Sequence, residues 1–453
     1  MSLIVSTKKP VGAYKILIES CKKHSENLTK KKMKLIVFEK DKISLKFIFY
    51  LLKNTINLSI FNDADYIKLK YKEFEIGRHA YSRTLRDTQS YLNNYYKFLY
   101  KVKYLIEASR IIEKSIKLSK LSDAVYVDHG VYLNGLVIQV FARYGKIIYQ
   151  NVYPRGLSYK DLRKRKINKP FTYEEILKLK KNEIILNKKK RDISYRKIKN
   201  IINNPENIPW IKGTIFKKFE NINLNNFTHI VYAHSFADGQ LVWGLDQFNN
   251  MRDWLIFTLI NLDKNQNKIL VKAHPNFTLR GYFNEACRLD KKIFLQIKKK
   301  FRNSKNIFFE VNPKKNSDLL KEINSHAILI SHHGSAILEG SFFKFKSICS
   351  EATFWEKKLK ISNSWKNKDE YLKLLNNSWA RLNNTNFDDL LTVSYLLYCN
   401  EFGHYGKKFW HQIISRVCKI GRNKLDKNIE NSIKKIKNSD KLTTILSQNI
   451  QKI

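Results

Sequence analysis

The sequence predicts an α/β protein built on doubly wound parallel sheet. Three observations lead there. From Phe227 onward, short apolar runs of four to six residues alternate with longer stretches of helical apolar spacing. Polar residues gather where those runs end, the place where open parallel sheets bind ligands. Gly (15) and Pro (7) are scarce in 453 residues, which excludes long flexible linkers and collagen-like or disordered chains.

In chain order, 34–38 (KLIVF) reads as a short buried strand, and 91–120 as a long helix with apolar residues at helical spacing. Residues 124–127 (AVYV) form a strand ending at Asp128, His129 and Gly130. A helix follows over 133–144, closed by Gly145, and a strand begins at 147. Residues 160–199 are dense in lysine and read as solvated helices, with a basic face for an acidic acceptor as the bolder reading. Pro205 and Pro209 suggest a boundary near 210. The second half then alternates: strands at 230–233, 268–273, 307–311, 327–331 and 347–350, helices at 246–262, 284–301, 316–323 and 335–343. Beyond Phe354 the pattern is mainly helical. The expected organisation is an α/β region over 1–210, a Rossmann-like region over 211–355 and a helical segment over 356–453.

The formal net charge is +45, and 68 of the 85 basic residues are lysine against 17 arginines. Lys, Asn and Ile are over-used together, the mark of an AT-rich genome. Part of the charge is therefore drift at solvated positions. The rest favours anionic partners: nucleotide phosphates, acidic glycans or lipid headgroups. Scarce arginine argues against sequence-specific nucleic-acid binding. The five cysteines (21, 287, 349, 399 and 418) have no metal-type spacing and read as reduced thiols of a cytoplasm. The first ten residues, with no apolar core before Lys8 and Lys9, do not form a secretory signal. The best membrane candidate, 47–61, is interrupted by Lys53, Asn54 and Asn57 and reads as a buried or surface-lying helix.

Four clusters at strand ends are candidates for chemistry. Pro275 biases the preceding His274 to extended backbone, so its imidazole sits at a strand end. Lys272 shares its face, and the pair suits phosphate; Asn276 follows in the same turn. The run Ser331, His332, His333, Gly334, Ser335 joins a strand to a helix. Gly334 permits close approach of a ligand, and Ser335 is placed to cap the helix. Glu339, one turn on, suits paired ribose hydroxyls. His234 and Asp238 lie in a third loop. Asp128, His129 or Asp238 is a candidate base for an attacking hydroxyl. Each also has an ordinary reading, as a cap or a core histidine. His332 and His333 point apart and have no carboxylate or cysteine at ligand spacing, so no metal site is expected. The chain has no GxxxxGK[ST] loop, no GxGxxG after a strand and no GxSxG elbow. This disfavours P-loop NTPases, dinucleotide oxidoreductases and α/β-hydrolases.

The runs VKAHPN (271–276), NPKKNSDLL (312–320) and AILISHHGSAILEGSFFKFKSICSEATFW (327–355) resemble the C-terminal half of bacterial capsule polysaccharide biosynthesis glycosyltransferases. YAHSFADGQLVWG (232–244) and VDHGVYLNG (127–135) look similar to segments of that group. The resemblance covers about 124–156 and 228–355, well under half the chain. It implies a GT-B architecture, two Rossmann-like domains facing a cleft, with the donor nucleotide in the C-terminal one and the last helices returning to the N-terminal one. A similar His-Pro motif occurs in bacterial sialyl- and Kdo transferases, where the histidine contacts donor phosphate. Carried over, this puts His274 on phosphate beside the 331–335 loop. Such enzymes need no bound metal or other cofactor. The sequence departs at the base: in place of a paired acidic motif before a glycine it has only Asp128-His129-Gly130 or Ala237-Asp238-Gly239.

The expected function is transfer of a sugar from a nucleotide-sugar donor to a capsule or surface polysaccharide, or a lipid-linked acceptor, at the cytoplasmic face, with peripheral contact to anionic inner-membrane lipids. Two alternatives stay open: a basic polyanion-binding protein without catalysis, and a GT-B-type nucleotide-sugar epimerase.

Overall fold

The structure is a computed structural model. It describes residues 2–6, 33–37, 43–57, 59–87, 94–122, 124–127, 132–152, 155–158, 187–205, 216–217, 223–237, 247–278, 284–353, 355–356 and 359–395. The chain falls into two compact units, Met1–Pro170 with His404–Ile453, and Phe171–Gly403.

The first unit carries strands β1 (Ser2–Ser6), β2 (Met33–Val37), the hairpin pair β3 (Lys70–Tyr71) and β4 (Phe74–Glu75), then β5 (Ala124–Val127), β6 (Ile147–Val152) and β7 (Arg155–Ser158). Its main sheet runs β2-β1-β5-β6-β7, parallel except for the antiparallel edge β7. The helices are α1 (Leu45–Ile56), α2 (Asp63–Lys68), α3 (Ile76–Asp87), α4 (Asn94–Leu121) and α5 (Asn134–Arg143). The expected strand–helix–strand unit over 124–149 is present. Gly145 closes α5 with φ +64°, and the next amide, of Lys146, bonds back to Phe141 O at 2.9 Å. That left-handed position suits glycine. Residues 2–6, to which the sequence reading assigns no element, form β1, a central strand flanked by β2 and β5.

The second unit carries β8 (His229–Tyr232), β9 (Ile269–Lys272), β10 (Ile307–Glu310), β11 (Ile328–Ser331), β12 (Ser347–Ser350) and β13 (Asn363–Trp365). All neighbours are parallel, in the order β10-β9-β8-β11-β12-β13. Relative to the chain that is 3-2-1-4-5-6, the doubly wound order of nucleotide-binding sheets. Every residue of β8, β9, β11 and β12 is buried, as parallel strands covered on both faces must be. The sixth strand, β13, adds to the mainly helical pattern expected after 354. Trp365 at its end is fully buried and stacks on Tyr371 at 4.0 Å.

The helices here are α6 (Lys188–Asn203), α7 (Met251–Lys264), α8 (Asn284–Lys300), α9 (Asn316–Glu322), α10 (Ala336–Phe342), α11 (Lys368–Leu375) and α12 (Phe387–Ser394). Helix α6, which the sequence reading assigns to the first 210 residues, packs in this unit: Ser194 Oγ donates to Leu391 O at 2.6 Å, and Arg191 pairs with Asp388 at 2.5 Å. Asparagine caps five helices: Asn62, Asn187, Asn250, Asn367 and Asn386 each accept a first-turn amide. Each such cap is worth about 1 kcal/mol, so part of the asparagine excess has a structural use. Asn250 also explains why α7 starts at Met251 rather than at 246.

Candidate functional site

The site follows from strand register. Glu310, Lys272, Tyr232 and Ser331 are cross-strand neighbours on β10, β9, β8 and β11. Side chains alternate faces along a strand, so this row lies on one face at the carboxyl ends. The residues one step further, Ala273, Ala233 and His332, turn to the other face. Two steps further come His274, His234 and His333. Three histidines thus stand at the same offset beyond three adjacent strands. They straddle β8 and β11, where the order 3-2-1-4-5-6 reverses and a doubly wound sheet opens its ligand crevice.

The rings meet. His234 and His333 have centroids 4.2 Å apart, and His234 and His274 5.6 Å. All three residues are half-buried. His234 Nδ1 lies 3.2 Å from Ser235 O, a contact in which the ring nitrogen donates. Burial, then the neighbouring His234 and Lys272, pushes the His274 imidazole down to about 3. Burial, then His234, His332 and His274, holds His333 well below its ordinary range. These two rings are therefore neutral at physiological pH.

Beneath them lies Lys272, 4% exposed. Burial lowers its ammonium to about 8, against the pull of Glu339, Glu310 and Asp318. Its Nζ sits 5.7 Å from the centre of the Tyr232 ring. Among the described residues it has no hydrogen bond or ion pair. A buried ammonium left in that state is costly, and such perturbed groups cluster at functional sites. Glu339 is oriented by a short chain: Tyr232 Oη donates to Asn316 Oδ1 at 2.8 Å, and Asn316 Nδ2 donates to Glu339 Oε2 at 2.9 Å. Burial raises the Glu339 carboxyl, opposed by the Asn316 hydrogen bond and by Lys272.

The 331–335 loop departs from expectation in three ways. His332, expected as a phosphate contact, is fully buried, with Trp254 and Trp365 edge-on at 5.6 Å each. It belongs to the core under the site because it is one residue out of phase with the other three histidines. It meets His333, Nδ1 to Nδ1 at 2.9 Å. Ser335 makes no side-chain cap to α10 and is exposed. The loop is instead closed by Ser331, whose Oγ accepts from Gly334 N at 3.1 Å. Gly334 serves that closure: a Cβ there would meet Ser331 Oγ at 2.7 Å.

Asp128, His129 and Asp238 lie outside the described residues, as does the side chain of Asn276. Sequence reasoning missed Asp290 on α8. This buried carboxylate accepts from Ser235 Oγ (2.7 Å), Phe236 N (2.7 Å) and Ala237 N (2.9 Å). It occupies the two amides of the first strand–helix loop, the place where dinucleotide folds cradle pyrophosphate. That agrees with the missing GxGxxG. Asn316 and Tyr232 were missed as well.

In the first unit, the residues next to the 128–131 segment are also polar. His79 Nδ1 contacts Tyr132 O at 2.5 Å, Arg86 donates to Tyr132 Oη at 3.1 Å, and Arg83 lies 5.7 Å from the Tyr132 ring centre. The available signal was three of the 17 arginines falling within the twelve residues of α3.

Among the described residues no group of three or more His, Cys, Asp or Glu is arranged to hold a metal ion. No family model and no curated protein matches the chain. Solved structures that it is similar to include Thermosulfurimonas dismutans KpsC, a beta Kdo 2,4 transferase (TM-score 0.37, 11% identity, 65% of this chain and 87% of that one). Methanocaldococcus jannaschii UDP-GlcNAc 2-epimerase in complex with UDP-GlcNAc and UDP is another (TM-score 0.29, 12% identity, 86% and 97%). A glycosyltransferase from Rickettsia africae ESF-5 is a third (TM-score 0.24, 11% identity, 97% and 99%). The strand order, rather than these distant likenesses, defines the fold: an α/β protein with two sheet-bearing units, the second doubly wound.

Proposed function

We propose that the chain is a nucleotide-sugar-dependent glycosyltransferase of the GT-B type, acting at the cytoplasmic face on a capsule or surface polysaccharide or its lipid-linked precursor. The observation that carries this reading is the buried Lys272, unpaired among the described residues, below His234, His274 and His333 at the switch point of a 3-2-1-4-5-6 sheet.

In this reading Lys272 neutralises the donor phosphate and His274 donates to it. A neutral imidazole can give one N–H, and a phosphate dianion raises its pKa toward the charged form. The same groups then stabilise the nucleoside diphosphate or monophosphate as it leaves, the point at which charge develops. Ser331 and Gly334 shape the loop beside it, and Glu339, held by Asn316, takes the ribose hydroxyls. Asp128, His129 or Asp238 supplies the base that deprotonates the acceptor hydroxyl.

The test is calorimetric titration with CMP, UDP, GDP, ADP and dTDP, with His274→Ala and Glu339→Ala in parallel. Saturable binding of one nucleotide, weakened in both variants, supports the reading. No binding by a folded protein sinks it and favours the polyanion-binding alternative. Sugar-nucleotide turnover in the absence of any acceptor would identify an epimerase using the same donor site.

A further inference from the structure

Helix α1 is amphipathic in an unusual sense: its apolar face points outward. Phe47 is its only buried residue, packed on Tyr71 at 5.3 Å and Tyr50 at 5.6 Å. Ser44 fixes the start by accepting from Phe47 N at 3.2 Å and meets Tyr71 Oη at 3.3 Å. Anchored on that side, the helix presents Leu45 (72% exposed), Ile48 (39%), Phe49 (70%), Leu52 (52%) and Ile56 (76%) to the outside. Their spacing is i, i+3, i+4, i+7 and i+11, one stripe roughly 100° wide opposite Phe47. Five large exposed apolar side chains on one twelve-residue helix are not scattered surface residues; such a patch marks a docking face.

We propose that this stripe docks onto an anionic lipid bilayer, with α1 lying flat in the headgroup boundary. Two features select that occupant. The helix contains no acidic residue, and exposed Lys46 and Lys53 run along one border of the stripe, in a chain of net charge +45. A second copy of the chain would bring four lysines and no helix carboxylate into one interface, whereas an anionic surface neutralises them. Length decides the orientation. At about 18 Å, α1 is far too short for a hydrocarbon core of about 30 Å. Among the described residues no helix is long and apolar enough to cross a membrane. Apolar side chains on one face with lysine beside them is the chemistry of an interfacial helix. The inference does not depend on the donor reading, since none of these residues belongs to the histidine site.

The experiment is co-sedimentation of the full chain with vesicles of phosphatidylcholine alone, or with about one-third phosphatidylglycerol. The key variant is Phe49→Ser with Leu52→Ser, which leaves net charge unchanged. The wild type should bind the anionic vesicles, and the double variant roughly 10- to 100-fold more weakly at physiological salt. Lys46→Ser with Lys53→Ser should lose mainly the salt-sensitive part. Phe49→Trp gives a readout that needs no destabilising change: the emission of the introduced indole should shift to the blue on adding anionic vesicles. Equal binding by wild type and double variant, or an unshifted emission from the Phe49→Trp protein, overturns the proposal. So does a wild-type dimer that the double variant dissociates while neither binds vesicles, which would give the stripe to a second copy. Nucleotide titration of the same variants should be unchanged, keeping a failure here distinct from a failure of the donor site.

Discussion

His234 and His333 face each other with ring centroids 4.2 Å apart, although 99 residues separate them in sequence. Each stands two positions past the last in-register residue of its strand, Tyr232 and Ser331 respectively, which are themselves cross-strand partners. The contact is a consequence of register between β8 and β11. His274 enters the same cluster through the Tyr232–Lys272 pairing.

Lys272 should be bound up with function at the expense of stability. Its folded-state pKa is lowered from 10.5 to about 8. Holding the protonated amine in the fold therefore costs stability at every pH below about 8, and the cost is relieved as pH rises from about 8 toward 10.5. Lys272→Met keeps the volume and removes the charge. At pH 7 it should stabilise the protein by roughly 1–3 kcal/mol while abolishing nucleotide binding. Thermal melting and calorimetry check both halves; a variant that is destabilised and still binds would show the lysine to be purely structural.

Donor binding should weaken as pH rises through about 8. In the proposed reading the phosphate is attracted by the ammonium form of Lys272, and that form is lost above its pKa. At neutral pH the reverse linkage applies: an anion raises the pKa values of the neutral imidazoles His274 and His333, so binding takes up protons. Titrations in buffers of different ionisation enthalpy would measure that uptake. Zero uptake would mean that an imidazole touching the anion stays neutral and gives it only an N–H.

Glu339→Gln should shift the upper pH limit for binding to lower pH. Glu339 raises the Lys272 pKa by its charge, and the amide removes that support. Affinity profiles of the two proteins against pH should be displaced from one another, not merely scaled. A parallel loss at all pH values would assign Glu339 to direct contact alone.

His274→Ala should lower turnover by about 10²–10³, the usual loss for one donor to a developing anion, with the melting temperature nearly kept. Near-wild-type turnover in the folded variant would remove His274 from the phosphate.

Asp290→Ala should cost stability and loosen the loop it holds. Among the described residues three hydrogen bonds end on its carboxylate, and leaving the buried amides of Phe236 and Ala237 unpaired costs about 1–3 kcal/mol each. Chemical denaturation gives the loss. Hydrogen exchange at Phe236 and Ala237 should accelerate selectively.

Much of the second sheet was legible because its strands are buried on both faces and read as unbroken apolar runs. β13 was not: Asn363 and Ser364 carry no apolar signal, and only Trp365 is a core side chain. β1 escapes notice because SLIVS is five residues long and followed closely by lysines; its centrality comes from pairing with β2 and β5. His274 and Lys272 could be placed on one face by counting. The separation of His333 from His332 was legible in principle from alternation, but which of the two faces the core depends on Trp254 and Trp365. Asp290 and Asn316 gave no local sign, since both act on loops from other elements. Ser335 looks like a helix cap by position, but its backbone is already helical (φ −61°, ψ −16°) and its hydroxyl accepts no first-turn amide.

The hold of Asp290 on the 235–237 loop has a consequence for redesign. Threading glycines into that loop would not turn the sheet into a dinucleotide reductase, because the amides that such glycines would free already belong to a carboxylate 53 and 54 residues away. Conversion needs paired changes on two separate elements, and either one alone leaves a damaged loop with no new ligand. The chain's specialisation is thus guarded by a two-key lock, set in helix α8 rather than in the loop that it protects.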